Sequence, residues 1–228
     1  MSKIIKIRPK KILSIVENNE SSIVDFKLTL PSTEIGSISV FEATMLVSLL
    51  KVVNAKTVFE FGTYLGYTSR LFLNNSDAKV FTIDFGLDYF SKNTKDSDIL
   101  IDDIANDNYL SINQMNKGAY YLSDLNEENK NRTELIFSDS TIYNFEHLYN
   151  KIDFIFIDGG HTKEIINSDT KNAFRMLSDN GIIVWHDFNS KIHRDVTEYL
   201  SIKSEETKIY HIENTMLAFY INNKSIEL

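Results

Sequence analysis

The chain has 228 residues, 43% of them hydrophobic, enough to bury a full core in one domain, and this composition excludes a disordered or fibrous protein. Its 32 acidic against 24 basic residues give a net charge of −8, which repels phosphate backbones and argues against nucleic acid as a partner. Cysteine is absent, so disulfides, zinc–thiolate sites and thiol nucleophiles are excluded, and any metal must sit on oxygen or imidazole.

The first stretch, MSKIIKIRPKKIL, interrupts its apolar residues with Lys and Arg, so it lacks the apolar run of a signal peptide. Nothing further on reaches the apolar length of a membrane span, and a soluble cytoplasmic protein with no membrane partner is the expectation. Prolines occur only at Pro9 and Pro31, with no linker or repeat after them. Residues 1–38 read as an N-terminal extension and residues 39–228 as the domain. Ser39 and Glu42 have capping-box spacing, each side chain able to satisfy a free backbone donor at a helix start, and Leu46, Leu49, Leu50 and Val53 follow at helical spacing.

Seven short runs rich in β-branched and aromatic residues then alternate with polar helical stretches: Thr57–Phe61, Lys79–Asp84, Glu134–Phe137, Ile152–Asp158, Ile182–His186, Lys208–Ile212 and Met216–Ile221. Strand followed by helix, repeated, predicts a seven-stranded, mostly parallel sheet covered by helices on both faces. Only Asn214-Thr215 separates the last two runs, which suits a hairpin and predicts an antiparallel strand at the sheet's edge. Between the second and third runs, residues 88–132 are polar and longer than an ordinary crossover, as a functional lid or as a solvated insertion.

The loop Glu60-Phe-Gly62-Thr63-Tyr64-Leu-Gly66-Tyr-Thr68 joins the first strand to a helix, a geometry that offers free N–H groups to an anionic ligand group. Its glycines stand four apart, with Tyr64 between them, which departs from the dinucleotide fingerprint. Glu60 would repel a pyrophosphate but suits a ligand carrying ammonium and sulfonium charge. Asp84 ends the next strand, where a carboxylate can accept from two ribose hydroxyls.

These features resemble the class I S-adenosylmethionine-dependent methyltransferases of Rossmann-like fold, and more closely the O-methyltransferase branch whose loop reads E-x-G-x-x-x-G-Y-[ST]. The resemblance spans roughly residues 38–222 and makes S-adenosylmethionine the implied cofactor. By it, Glu60, Gly62 and Thr68 meet the methionine end, with Thr63, Tyr64 and Gly66 in the same binding loop. Asp84 then meets the ribose, Asp139 and Ser140 the adenine, and Asp158 also touches the cofactor. The bland alternative makes the glycines turn residues, Asp84 a solvated strand end and Asp139 a helix cap.

Two later strand ends bring Asp158-Gly-Gly-His161 and Trp185-His186-Asp187 to one rim. Methyl transfer to a hydroxyl requires its deprotonation, by a base such as His161 or by a divalent cation held on Asp158 and Asp187. Catechol-type and macrolide-sugar-type O-methyltransferases are similar here, which implies His161 and Asp158 as catalytic residues and Asp158 and Asp187 as ligands of Mg2+. The chain departs from both at Phe188 and His186, and the DGGH and WHDF words look more like an uncharacterised bacterial branch of the superfamily. Trp185 is expected in the core, and His147, His193 and His211, which lack carboxylates at ligand spacing, on the surface or in strands.

The expected activity is O-methylation of a small-molecule hydroxyl, with a homodimer as a candidate assembly. N-methylation and a noncatalytic cofactor-binding regulatory module are the alternatives.

Overall fold

The computed structural model describes residues 3–19, 23–33, 36–86, 110, 115–222 and 226. Of the long polar segment expected between the second and third runs, residues 88–109 and 111–114 lie outside them.

The strands are β1 (Ile5–Ile7), β2 (Thr57–Phe61), β3 (Lys79–Asp84), β4 (Thr133–Phe137), β5 (Ile152–Ile157), β6 (Leu177–Trp185), β7 (Tyr210–Ile212) and β8 (Ala218–Ile221). The main helices are α1 (Pro9–Asn19), α2 (Val40–Val52), α3 (Tyr67–Asn75), α4 (Ala119–Leu122), α5 (Glu127–Asn131), α6 (Lys163–Met176) and α7 (Arg194–Lys203). The strands form one sheet in the order β1-β7-β8-β6-β5-β2-β3-β4. β2 through β6 run parallel, as the strand–helix alternation predicts, and the chain's winding reverses between β2 and β5, where open α/β sheets collect ligands.

Two details differ from the sequence expectation. The antiparallel strand β8 is not an edge: it sits between β6 and β7 and runs antiparallel to both. Ile5–Ile7 adds an eighth strand, parallel to β7 and outside it. Hairpin spacing dictates that β7 and β8 are neighbours, but not which of them meets β6.

Alternation along the strands divides the core. Val58, Phe154, Phe156, Ile182 and Val184 pack on the face that α2 and α3 cover, with Met45, Leu46, Leu49 and Phe72. Phe59, Phe61, Ile155, Ile157 and Ile183 point the other way, onto Ile166, Met176, Val196 and Leu200 of α6 and α7. Trp185 belongs to this second layer, 1% exposed, with its Nε1 donating to Thr170 Oγ1 at 2.9 Å. α2 starts with the expected capping box: Ser39 accepts from the Glu42 backbone while Glu42 accepts from the Ser39 backbone.

Among the described residues no helix is long and apolar enough to cross a membrane.

Candidate active site

The turn after β2 is possible only with glycine. Gly62 has φ +91°, and a Cβ there would stand 2.2 Å from the Asp158 carbonyl oxygen on the neighbouring strand end. Gly66, at φ +83°, caps α3, and a Cβ would stand 2.7 Å from Leu122 Cγ. Asp84 ties the turn to β3: its Oδ2 accepts from the Thr63 and Tyr64 amides at 2.9 Å each. The buried Lys117 ammonium lies 3.3 Å from the other oxygen, Oδ1.

Glu60 lies beneath this turn and is fully buried, its carboxylate accepting from the hydroxyls of Thr68, Ser69 and Thr82. Burial pushes its carboxyl up to about 7, against the lowering effect of the three hydroxyls. It lines neither cleft described below, and Thr68, whose hydroxyl donates to it, lines the second.

Two clefts open at the carboxyl ends of the strands. The first runs from Gly62, Tyr64 and Asp84 past Ser138, Asp139 and Ser140 to Gly159 and Gly160. The second is bounded by Thr63, Tyr67, Thr68, His186, Asp187, Ile192, His193 and Met216. Gly62, Tyr64, Asp158 and His161 line both, so the clefts meet at those four residues. Of the residues expected at the cofactor, only Glu60 and Gly66 line neither cleft, and both shape the turn from below.

At the junction stands a group of histidines around one carboxylate. His161 Nε2 is 3.0 Å from Asp187 Oδ2, and His193 Nδ1 is 3.1 Å from Asp187 Oδ1. His186 Nδ1 is 3.1 Å from both Asp187 Oδ2 and Asp158 Oδ1, and its Nε2 faces Glu42 Oε1 at 3.6 Å. Burial alone would lower the His186 pKa, yet Asp158, Asp187 and Glu42 hold it well above 6.5. Burial would raise the two acids, but His186 brings Glu42 down to about 2, and hydrogen bonds from His161, His186 and His193 hold Asp187 far below the usual carboxylate range. Asp187 adopts φ +60°, a left-handed conformation that Asp tolerates better than most residues, which helps present both of its oxygens.

The sequence expectation placed His193 on the surface or in a strand. Instead it caps the start of α7 and joins the cluster, because the turn after Asp187 carries it back over His161. Glu42 was legible only as a helix cap. It is also a partner of His186, and its Oε1 accepts from the Met216 amide at 2.8 Å. Lys117 and Asp169 carried no motif.

A family model described as a methyltransferase domain matches residues 59–188. Among solved structures, TomG, the Streptomyces achromogenes O-methyltransferase of tomaymycin synthesis solved with S-adenosylmethionine, aligns with a TM-score of 0.53 at 10% identity, over 94% of this chain and 90% of its own. A Bacillus cereus O-methyltransferase in complex with S-adenosylhomocysteine aligns at 0.50 and 14% identity, over 93% and 90% of the two chains. The S-adenosylhomocysteine-bound methyltransferase PaMTH1 of Podospora anserina aligns at 0.52 and 13% identity, over 95% and 88%. At these identities the likeness is one of fold. A comparison with curated proteins finds no match.

Proposed function

The chain belongs to the methyltransferase-domain family, and on that premise we propose that it transfers the methyl group of S-adenosylmethionine to the hydroxyl of a small molecule. One observation carries this reading: the two clefts meet at Gly62, Tyr64, Asp158 and His161, so a cofactor in one and an acceptor in the other would face each other beside an imidazole.

The residues fit the cofactor. A Cβ at Gly62 would fill the cradle at the turn, and Asp139 and Ser140 stand at the far end of the same cleft. Gly62, Thr63, Tyr64 and Thr68 would hold the methionine end, Asp84 the ribose, and Asp139 with Ser140 the adenine. When bound, S-adenosylmethionine supplies an electrophilic methyl on a sulfonium.

His161 is the base that receives the acceptor's hydroxyl proton as the oxygen becomes nucleophilic. Asp187 holds the imidazole from behind at Nε2 and stabilises the imidazolium once it forms. Asp158 and Asp187 are both paired to His186, which supplies a positive charge from within the chain.

Magnesium does not fit this donor set. His186 Nδ1 is already paired to both the Asp158 and Asp187 carboxylates, and the other near donors, His161 and His193, are imidazoles rather than the oxygens magnesium prefers. No step is assigned to a metal.

The test incubates the chain with methyl-labelled S-adenosylmethionine and a panel of small hydroxyl and amine acceptors, after calorimetry with S-adenosylhomocysteine. Folded protein that binds neither cofactor form overturns the proposal. Labelling confined to amines, with His161→Ala turning over at the wild-type rate, replaces O-methylation by N-methylation.

A further inference from the structure

Beneath the first cleft, one side chain has no part in the mechanism above. Asp169, on α6, is 1% exposed and lines that cleft, and its Oδ1 is buried with no hydrogen-bond partner among the described residues. A buried carboxylate oxygen without a donor is costly, and a donor reaching it from the cleft would offset that cost.

The glycine pair after β5 runs alongside the helix that carries Asp169. A Cβ at Gly159 would come within 3.6 Å of Asp169 Oδ2, and a Cβ at Gly160 would strike Ile165 Cδ1 at 2.6 Å. Ile165 and Asp169 are four apart on α6 and share one helix face, so the glycines lie flat on that face and leave Asp169 at the floor of the cleft. The same end of the cleft is walled by Ser140 and by Asp139, one of whose carboxylate oxygens is already taken by the Thr141 amide and hydroxyl at 2.8 and 2.7 Å.

We infer that Asp169 recognises the 6-amino edge of the cofactor's adenine, its unpartnered oxygen accepting the exocyclic N–H. This rests on the cofactor assignment made above. Burial pushes the Asp169 carboxyl up to about 7, opposed by a hydrogen bond from Ser140, so near neutrality part of the population carries a proton. A protonated carboxyl both donates and accepts, which complements an amino group beside a ring nitrogen.

The test is calorimetry of the full chain with S-adenosylhomocysteine and with its analogue carrying hydrogen in place of the 6-amino group. Wild type is expected to bind S-adenosylhomocysteine about tenfold more tightly than the analogue, the scale of one buried hydrogen bond. Asp169→Ala is expected to bind both alike, and Asp169→Asn, which keeps a carbonyl acceptor, to retain the preference. Circular dichroism separates lost fold from lost recognition, and if the alanine variant does not fold, the wild-type and asparagine measurements decide. Equal affinities in wild type, a preference kept by folded Asp169→Ala, or one lost in folded Asp169→Asn overturns the assignment. Failure of wild type to bind S-adenosylhomocysteine at all is a different result, and it removes the cofactor reading together with this one.

Discussion

The imidazoles of His161 and His193 lie face to face, with ring centroids 3.6 Å apart and planes within 8° of parallel. Each lies within hydrogen-bonding distance of a different oxygen of the one Asp187 carboxylate, which is therefore shared between the two stacked rings. A base held this way keeps its plane and its tautomer, because rotation of either ring would break its contact with Asp187 and the stack together.

Replacement of His161 by Ala is expected to lower kcat by about 10²–10⁴-fold, the usual contribution of a positioned general base, with affinity for S-adenosylhomocysteine unchanged. Asp187→Asn should lower kcat in the same direction and shift the pH profile, since the imidazole loses its anionic partner. Parallel measurements of turnover and calorimetric affinity check this, and a fall in affinity alone would place His161 in binding instead.

His186 lies among Glu42, Asp158 and Asp187 with 8% exposure. Its substitution by Leu leaves buried acids without their cation and is expected to destabilise the fold by about 3–5 kcal/mol at neutral pH, read from the denaturant midpoint. The sign with pH follows from the shifts. The raised His186 value contributes stability that is present below 6.5 and is lost as pH rises through its elevated folded value. The depressed Glu42 and Asp187 values contribute stability that is present above the ordinary carboxylate range and is lost as pH falls through the folded values. The cluster is therefore strongest between those limits.

Glu60 acts in the opposite sense. Its pKa rises from 4.5 to about 7 on folding, so the folded chain holds a proton that the unfolded chain releases, and stability falls as pH rises across that interval and then levels off. Glu60→Gln removes this slope while keeping a partner for the hydroxyls of Thr68, Ser69 and Thr82. Thermal melts of both proteins between pH 4.5 and 8 should show the variant gaining on wild type as pH rises. A constant difference would show that Glu60 does not titrate there.

Chelation tests the role assigned to His186. With His186 standing between the carboxylates, turnover is expected to stay within about twofold of its original rate after exhaustive chelation, since the near donors are of the wrong kind for magnesium. Loss of activity with chelator and recovery with magnesium would restore a metal to Asp158 and Asp187.

At Gly62, a methyl group has no room: its Cβ would stand 2.2 Å from the Asp158 carbonyl oxygen, a backbone atom that cannot swing aside. Gly62→Ala should therefore abolish measurable S-adenosylhomocysteine binding and lower the melting temperature, whereas Gly86→Ala, whose nearest heavy atom is 3.9 Å away, should change neither.

Much of the frame was legible in the residues because it depends on neighbours in the chain. The strands β2 and β3, the Ser39–Glu42 cap and the glycine turn after Phe61 each rest on periodicity or on a backbone angle that a short segment dictates. The order of strands was less so: hairpin spacing does not say that β8 separates β6 from β7, or that Ile5–Ile7 joins the far edge.

That Asp158, His161 and Asp187 come to one rim was readable from the residues alone, since each follows a strand and parallel strands end together. Which charges neutralise which emerges from the folded packing. Glu42 reaches His186 from a helix far earlier in the chain, His193 returns to stack on His161, and Lys117 finds Asp84 from the long polar stretch. In each case a buried charge pairs with whatever opposite charge the fold carries within reach, and that distance is set by the packing of remote segments rather than by spacing along the chain.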